Sequence, residues 1–350
     1  MRSGLILRLV LFAAALAHAG CPSQTPVDDD ASGDDDSTGD DDSTGDDDST
    51  TGDDDTSGSD DDDDDSTTGD DDTTAADCEA LPAGPVPYAT LTDLYASEDF
   101  AFDDAGHLIS HDTNALFKQE YPPGDVSAFA VTAGGPGGPA SMRMLPTGDL
   151  VYANVDTSTL YRVAPDGATT VVYGGLGYPT GIDIHSSGMV FLADLMGIMR
   201  IDPYSGDMEI IISSNMLSYP NGMTFSADYS VLYIGTLAGI FSVEVDGDGT
   251  PVGVLGPWAA SPDEGELLGM GVDICDNVYA LHQGERLLRY PPDGGDPEVL
   301  IELPGYGWMT NLQWGSGHGG WDDHAIYITD RNGAAPVYYE VAVGVGSKPY

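Results

Sequence analysis

The stretch YPNGMTFSADYSVLYIGTL, Tyr219 to Leu237, decides how this chain folds. From Asn221 onward small or polar residues alternate with apolar ones, a Ser-Ala-Asp turn interrupts them, and a second apolar run carrying a Tyr follows. Period-two alternation broken by a tight turn is the mark of a β-hairpin. The same pattern returns about every forty residues, a spacing typical of repeat architectures. The copies are EDFAFDDAGHLISHD, ASMRMLPTGDLVYAN, TGIDIHSSGMVFLAD, NGMTFSADYSVLYIGT, LGMGVDICDNVYALH and TNLQWGSGHGGWDDHAIYITD, beginning at Glu98, Ala140, Thr180, Asn221, Leu268 and Thr310. Further strand-like runs follow each hairpin, as in GIFSVEV (Gly239 to Val245) and PVGVLGPW (Pro251 to Trp258). Helical periodicity is nowhere sustained.

Four short strands per unit at a fixed period predict an all-β fold, the β-propeller, because one such sheet cannot bury both faces and a closed ring of them can. Six copies predict six blades. The last copy offers three strands, the third beginning at Val337 in VYYEVAVGV, so its fourth is expected from elsewhere. The run PYATLTDLYAS, Pro87 to Ser97, lies just ahead of the first copy. As the closing strand it would tie the two ends of the ring together and leave no open edge.

Composition sets limits on the rest. Of 60 acidic residues, 24 are Asp between Asp28 and Asp72, where GDDDST recurs from Gly33. Such a segment has almost no apolar side chains with which to offset the entropy of ordering its backbone, and it reads as a disordered linker. The remainder is acidic too, and a surface of that sign repels nucleic acid and anionic lipid, which excludes both as partners. The N-terminus, MRSGLILRLVLFAAALAHAGC, has Arg2 and Arg8, an apolar run from Leu9 to Ala17 too short to span a bilayer, and then small residues. This is the pattern of a secretory signal peptide. The expected organisation is a signal peptide over residues 1–20, a linker over 21–77 and the propeller over 78–350.

Ala19-Gly20-Cys21 resembles a bacterial lipobox with His18 where Leu is usual. It implies an exported protein of the bacterial cell envelope, anchored through a lipid on Cys21 and touching the membrane by that lipid only. Ala17-His18-Ala19 also fits ordinary cleavage, which would leave a free periplasmic or secreted protein. With Cys21 lipidated, Cys78 and Cys275 remain of the three cysteines, in a compartment where disulfides persist. The first strand of each copy leads away from the Asn221 end of the ring, so Cys275, in the first hairpin turn of the fifth copy, lies at the far end. The closing strand also begins there, with Cys78 about ten residues ahead of it, enough to reach back to the neighbouring blade. A Cys78 to Cys275 bridge is expected.

Aligning the copies gathers two rings of residues at one end of the channel. The first is Glu98, Ala140, Thr180, Asn221, Leu268 and Thr310; the second, at the close of each second strand, is Asp112, Asn154, Asp194, Thr236, His282 and Asp330. The second ring is polar throughout and offers a ligand-binding face, and its hard oxygen donors suit calcium or magnesium. Against this, Asp, Asn and Thr after a strand commonly bond to their own turn backbone. His282, in YALHQGERLLRY, has no such turn role, though Glu285 or Arg286 could satisfy it as a neighbour.

YPNGMTFSADYSVLYIGTL resembles the PNG-L-x-F-S-x-D strand pair of the regucalcin, gluconolactonase and luciferin-regenerating-enzyme family of six-bladed propellers. The resemblance implies a central divalent cation, often calcium, held by a Glu of the first blade, the Asn of PNG and an Asp opening a later blade as DG-M. In that family the metal assists hydrolysis of sugar lactones or related esters. Asn221 matches the Asn and Glu98 falls on the Glu, but the third position is Leu268 in LGMGVD, and leucine cannot coordinate a cation. The family's substrate-orienting Arg and Asn find no match in GGPASMRM. Asp273 is no substitute, because alternation turns it into the sheet hairpin. Two ligands out of three leave a calcium site short of charge and oxygen donors.

GHGGWDDH, Gly317 to His324, offers two His and two Asp but falls at the opposite end, where a solvated hairpin loop is the simpler reading. The sequence therefore leads to a surface-tethered, monomeric propeller that binds a small molecule, glycan or protein on its Asn221 face, with a degenerate metal site. The alternative is a divalent-metal lactone or ester hydrolase using Glu98 and Asn221.

Overall fold

The computed structural model describes Cys78 and residues 80–349, apart from 96, 113, 133–138, 284, 304–308 and 331–336. The expected signal peptide, linker and lipidated Cys21 lie outside these residues. Six four-stranded antiparallel sheets succeed one another along the chain. Blade four is typical: Met223–Phe225, Val231–Thr236, Gly239–Glu244 and Gly256–Ala260 pair in sequence order. The sixth sheet is assembled from both ends of the domain, Tyr88–Leu91 pairing with Val337–Ala342 outside Ala325–Asp330 and Met309–Trp314. Among the described residues no helix is long and apolar enough to cross a membrane.

The core is divided by the fold rather than pooled. Phe191, Ile198, Phe225 and Ile234 join blades three and four, and Leu281, Leu300, Leu312 and Val341 join blades five and six. Four further clusters join the other neighbouring pairs, so six apolar cores occupy the six interfaces of the ring. A strand pressed between two blades is buried on both faces and reads as a continuous apolar run. Val190–Asp194 is buried throughout, whereas the outermost strand of the same blade, Met208–Ser213, meets solvent at Glu209, Ile210 and Ser213. Where inner strands approach most closely no side chain fits: a Cβ on Gly181 would run into the Asn221 carbonyl, and one on Gly222 into that of Leu268.

Two expected elements are shorter than their sequence signal. Closure uses only Tyr88–Leu91 of the Pro87 to Ser97 run, because Asp93 takes a left-handed backbone, φ +67°, and the chain leaves the sheet. In PVGVLGPW the strand begins at Gly256. Val252 and Gly253 instead both donate their N–H to the Glu244 carbonyl, at 2.9 and 3.3 Å, which curls the segment and leaves Val254 91% exposed.

The Cys78–Cys275 disulfide is present, with Cα atoms 5.6 Å apart, joining the segment ahead of the closing strand to the blade-five hairpin. Asp273 caps that hairpin, accepting from the N–H groups of Cys275 and Asn277 at 2.9 Å and from the Tyr279 hydroxyl at 3.0 Å. After the last strand the chain crosses the far face of the ring. Trp314 Nε1 donates to Val345 O, Lys348 N to Val272 O and the Tyr229 hydroxyl to Pro349 O, at 2.7 to 2.9 Å.

Candidate functional site

Asn221 stands at the mouth of the channel, with its N–H 3.0 Å from the Gly235 carbonyl and its side chain part-exposed. Its amide stands beside the carboxylate of Glu266, which burial pushes above the usual carboxylate range while the nearby Asn221 amide holds it partly down. Glu266 lies two residues ahead of Leu268. The Leu268 side chain, 8% exposed, packs in the core between blades five and six. The carboxylate beside Asn221 thus comes from outside the aligned column. Sequence alignment missed it because the blade-five ladder shifts register between Leu267 and Met270.

The other members of the first ring mostly join blades. Thr310 Oγ1 donates to the Glu98 carbonyl and Thr180 Oγ1 to the Pro220 carbonyl, the latter at 3.2 Å. Glu98 itself is part-exposed. In the second ring, turn chemistry accounts for four positions. Asp112 Oδ1 accepts from Asn114 and Ala115 N–H, Asn154 Oδ1 from Thr157 N–H, Asp194 from Tyr178 and Met196 N–H, and Thr236 Oγ1 from Ala238 N–H. His282 Nδ1 lies 3.2 Å from Arg286, and Asp330 accepts from the Tyr339 hydroxyl at 3.4 Å. Around these polar groups the loops of blades two to four expose Tyr178, Leu195, Met196, Met216 and Leu237, each at least 36% accessible.

Deeper in the channel lies a polar network that the ring alignment did not single out. Asp99 Oδ2 accepts from the Met142 N–H of the next blade at 2.8 Å, its other oxygen receives the Asn311 amide, and Arg143 stands 3.6 Å away. Full burial nevertheless raises the Asp99 carboxyl to about 6. Asp183 repeats the device one blade pair on, accepting from Phe225 N–H at 3.1 Å, and Lys348 of the C-terminal segment sets its ammonium 2.5 Å from the same carboxylate. Each carboxylate joins two blades by their backbone. A signal was available: Asp99 follows Glu98 by one residue and Asp183 follows Thr180 by three, each a carboxylate in an innermost segment of otherwise apolar or small residues.

At the far end, Asp322, Asp323 and His324 bring ligand atoms within 4.8 Å of one another, all three exposed, as a solvated loop would. Among the described residues no such trio of carboxylate or imidazole groups meets at the Asn221 mouth. Beside Asn221 the donors are its own amide and the Glu266 carboxylate, hard oxygens of the kind calcium takes.

No family model matches the chain, and no curated protein does. Among solved structures, it resembles a gluconolactonase from Xanthomonas campestris (TM-score 0.59, 19% identity, covering 74% of this chain and 90% of that one). It is similar to regucalcin, a calcium-binding protein from Agrobacterium tumefaciens (TM-score 0.60, 18% identity, 76% and 96% covered). It also resembles a luciferin-regenerating enzyme (TM-score 0.58, 14% identity, 75% and 97% covered). At these identities the likeness establishes the six-bladed fold.

Proposed function

We propose that this protein is an exported binding propeller, held at the cell envelope through Cys21 and the Asp-rich segment, that takes a small ligand at the Asn221 end of its channel. The observation that carries this reading is the Glu266 carboxylate beside the Asn221 amide at the channel mouth. It gives a ligand a polar anchor, and the exposed Tyr178, Leu195, Met196, Met216 and Leu237 give the same end apolar surface for the ligand body. A divalent cation would be held there by Asn221 Oδ1 and the Glu266 carboxylate, with Glu98 the further candidate donor. Bound, such an ion supplies a Lewis acid and a positive charge to which an oxygen-bearing ligand can bind. Titration of the purified protein with calcium by calorimetry tests the reading. A saturable signal that Glu266→Gln and Asn221→Ala both weaken supports it; one indifferent to both variants removes the site.

A second reading, a divalent-metal lactone or ester hydrolase, is favoured by the state of Glu266. A carboxyl whose affinity for protons is raised, at a channel mouth, is suited to accept a proton from an attacking water. Hydrolysis of a δ-lactone, lost in Glu266→Gln, decides for it.

A further inference from the structure

We propose that the far end of the channel, opposite the Asn221 mouth, is a second binding site, and that its ligand is a neutral sugar. A cavity of about 450 Å³ opens there, within the range of small-molecule sites. Its lining includes two buried cations, Arg143 and Lys348, each beside a buried carboxylate, Asp99 and Asp183. Asp104 and Asp323, both exposed, are among its lining residues, and Asp103 beside them is paired with Lys118 at 2.9 Å.

Charge decides the ligand class. An anion would have to pass those acidic groups and then meet cations already beside carboxylates. A cation would lie against Arg143 and Lys348. A neutral polyol meets neither cost, and the cavity supplies both kinds of hydrogen-bonding partner. Two N–H groups of the Arg143 guanidinium serve Met142 O and Asn311 Oδ1, of five available. Gln313 spends its amide N–H on the Phe100 carbonyl and retains its oxygen as an acceptor. The walls include Phe102, part-exposed, and an edge of Trp314, 9% exposed, apolar surface of the kind the C–H face of a sugar ring covers. Trp314 lies close over the backbone of Gly271, where a Cβ would come within 2.6 Å of its ring.

The test is titration of the purified protein with glucose, galactose, mannose and maltose, followed by calorimetry and tryptophan fluorescence. Glucuronate and glucosamine, which place one charge on the same ring, are titrated beside them. At least one neutral sugar is expected to saturate, with both charged analogues of glucose weaker by about tenfold. Gln313→Leu should weaken the neutral sugar by a similar factor and leave calcium titration unchanged, and Glu266→Gln should leave sugar binding unchanged. Absence of saturation by about 10 mM for all four neutral sugars overturns the proposal. So does tighter binding of either charged analogue, or loss of sugar binding in Glu266→Gln rather than in Gln313→Leu, which would place the sugar at the Asn221 mouth.

Discussion

Glu266 stands beside Asn221, although it lies two positions upstream of the leucine that occupies the aligned channel column. A carboxylate excluded from the column by sequence therefore stands beside the asparagine in space. Replacing Glu266 by Gln keeps the shape and removes the charge. Calcium affinity, measured by calorimetry, should fall by about tenfold or more, since these sites depend on ligand charge. Leu268→Ala should leave affinity unchanged and cost stability, because that side chain serves the core between blades five and six.

Asp99 makes stability depend on pH in an unusual direction. Its folded-state value, about 6, lies above the ordinary 3.8, so the folded protein holds this proton more tightly than the unfolded chain does. The stabilisation is full below the unfolded value and is lost as pH rises through 6, amounting to about 3 kcal/mol. Urea unfolding of the wild type and Asp99→Asn at several pH values isolates it. The advantage of the wild type over the variant should be largest near pH 4 and shrink towards pH 7.

Lys348 and Asp183 are 3% and 4% exposed and 2.5 Å apart. Removing one partner leaves a buried charge without compensation, so Lys348→Met should destabilise by about 3–5 kcal/mol in urea titrations. An exposed lysine would show almost nothing in the same experiment.

The disulfide spans 197 residues of sequence. Closing so long a loop restricts the unfolded chain, and Cys78→Ser with Cys275→Ser should lower stability by about 2–5 kcal/mol, read as a lower urea midpoint. A free-thiol assay on the denatured, unreduced wild type should find neither Cys78 nor Cys275 reactive.

Gly222→Ala asks how tightly the ring is closed. The added carbon would meet the Leu268 carbonyl and come within 2.8 Å of Met270 Cγ. A shift of blade four against blade five should cost about 3 kcal/mol. The same shift would move Asn221, so calcium affinity should fall with stability, unlike in Leu268→Ala.

The repeat, its six blades, the closing strand and the Cys78–Cys275 bridge were all legible from one hairpin and its copies. Alternation and turn residues are local properties, and a ring of identical period admits one way of burying every sheet. The channel was not legible to the same degree. Second-ring residues such as Asp112, Asn154, Asp194 and Thr236 looked like one ligand face in alignment, and in the structure each also accepts a backbone N–H of a neighbouring turn. Hydrogen-bond partners depend on backbone direction, which residue type does not specify. Glu266 beside Asn221, Asp99 beside Arg143, and Lys348 brought to Asp183 from 165 residues away are pairings made only when blades close on one another. Sequence determined what each blade is. Tertiary structure alone decided which side chains meet between blades, because a register shift of one or two residues is enough to exchange a channel residue for a core one.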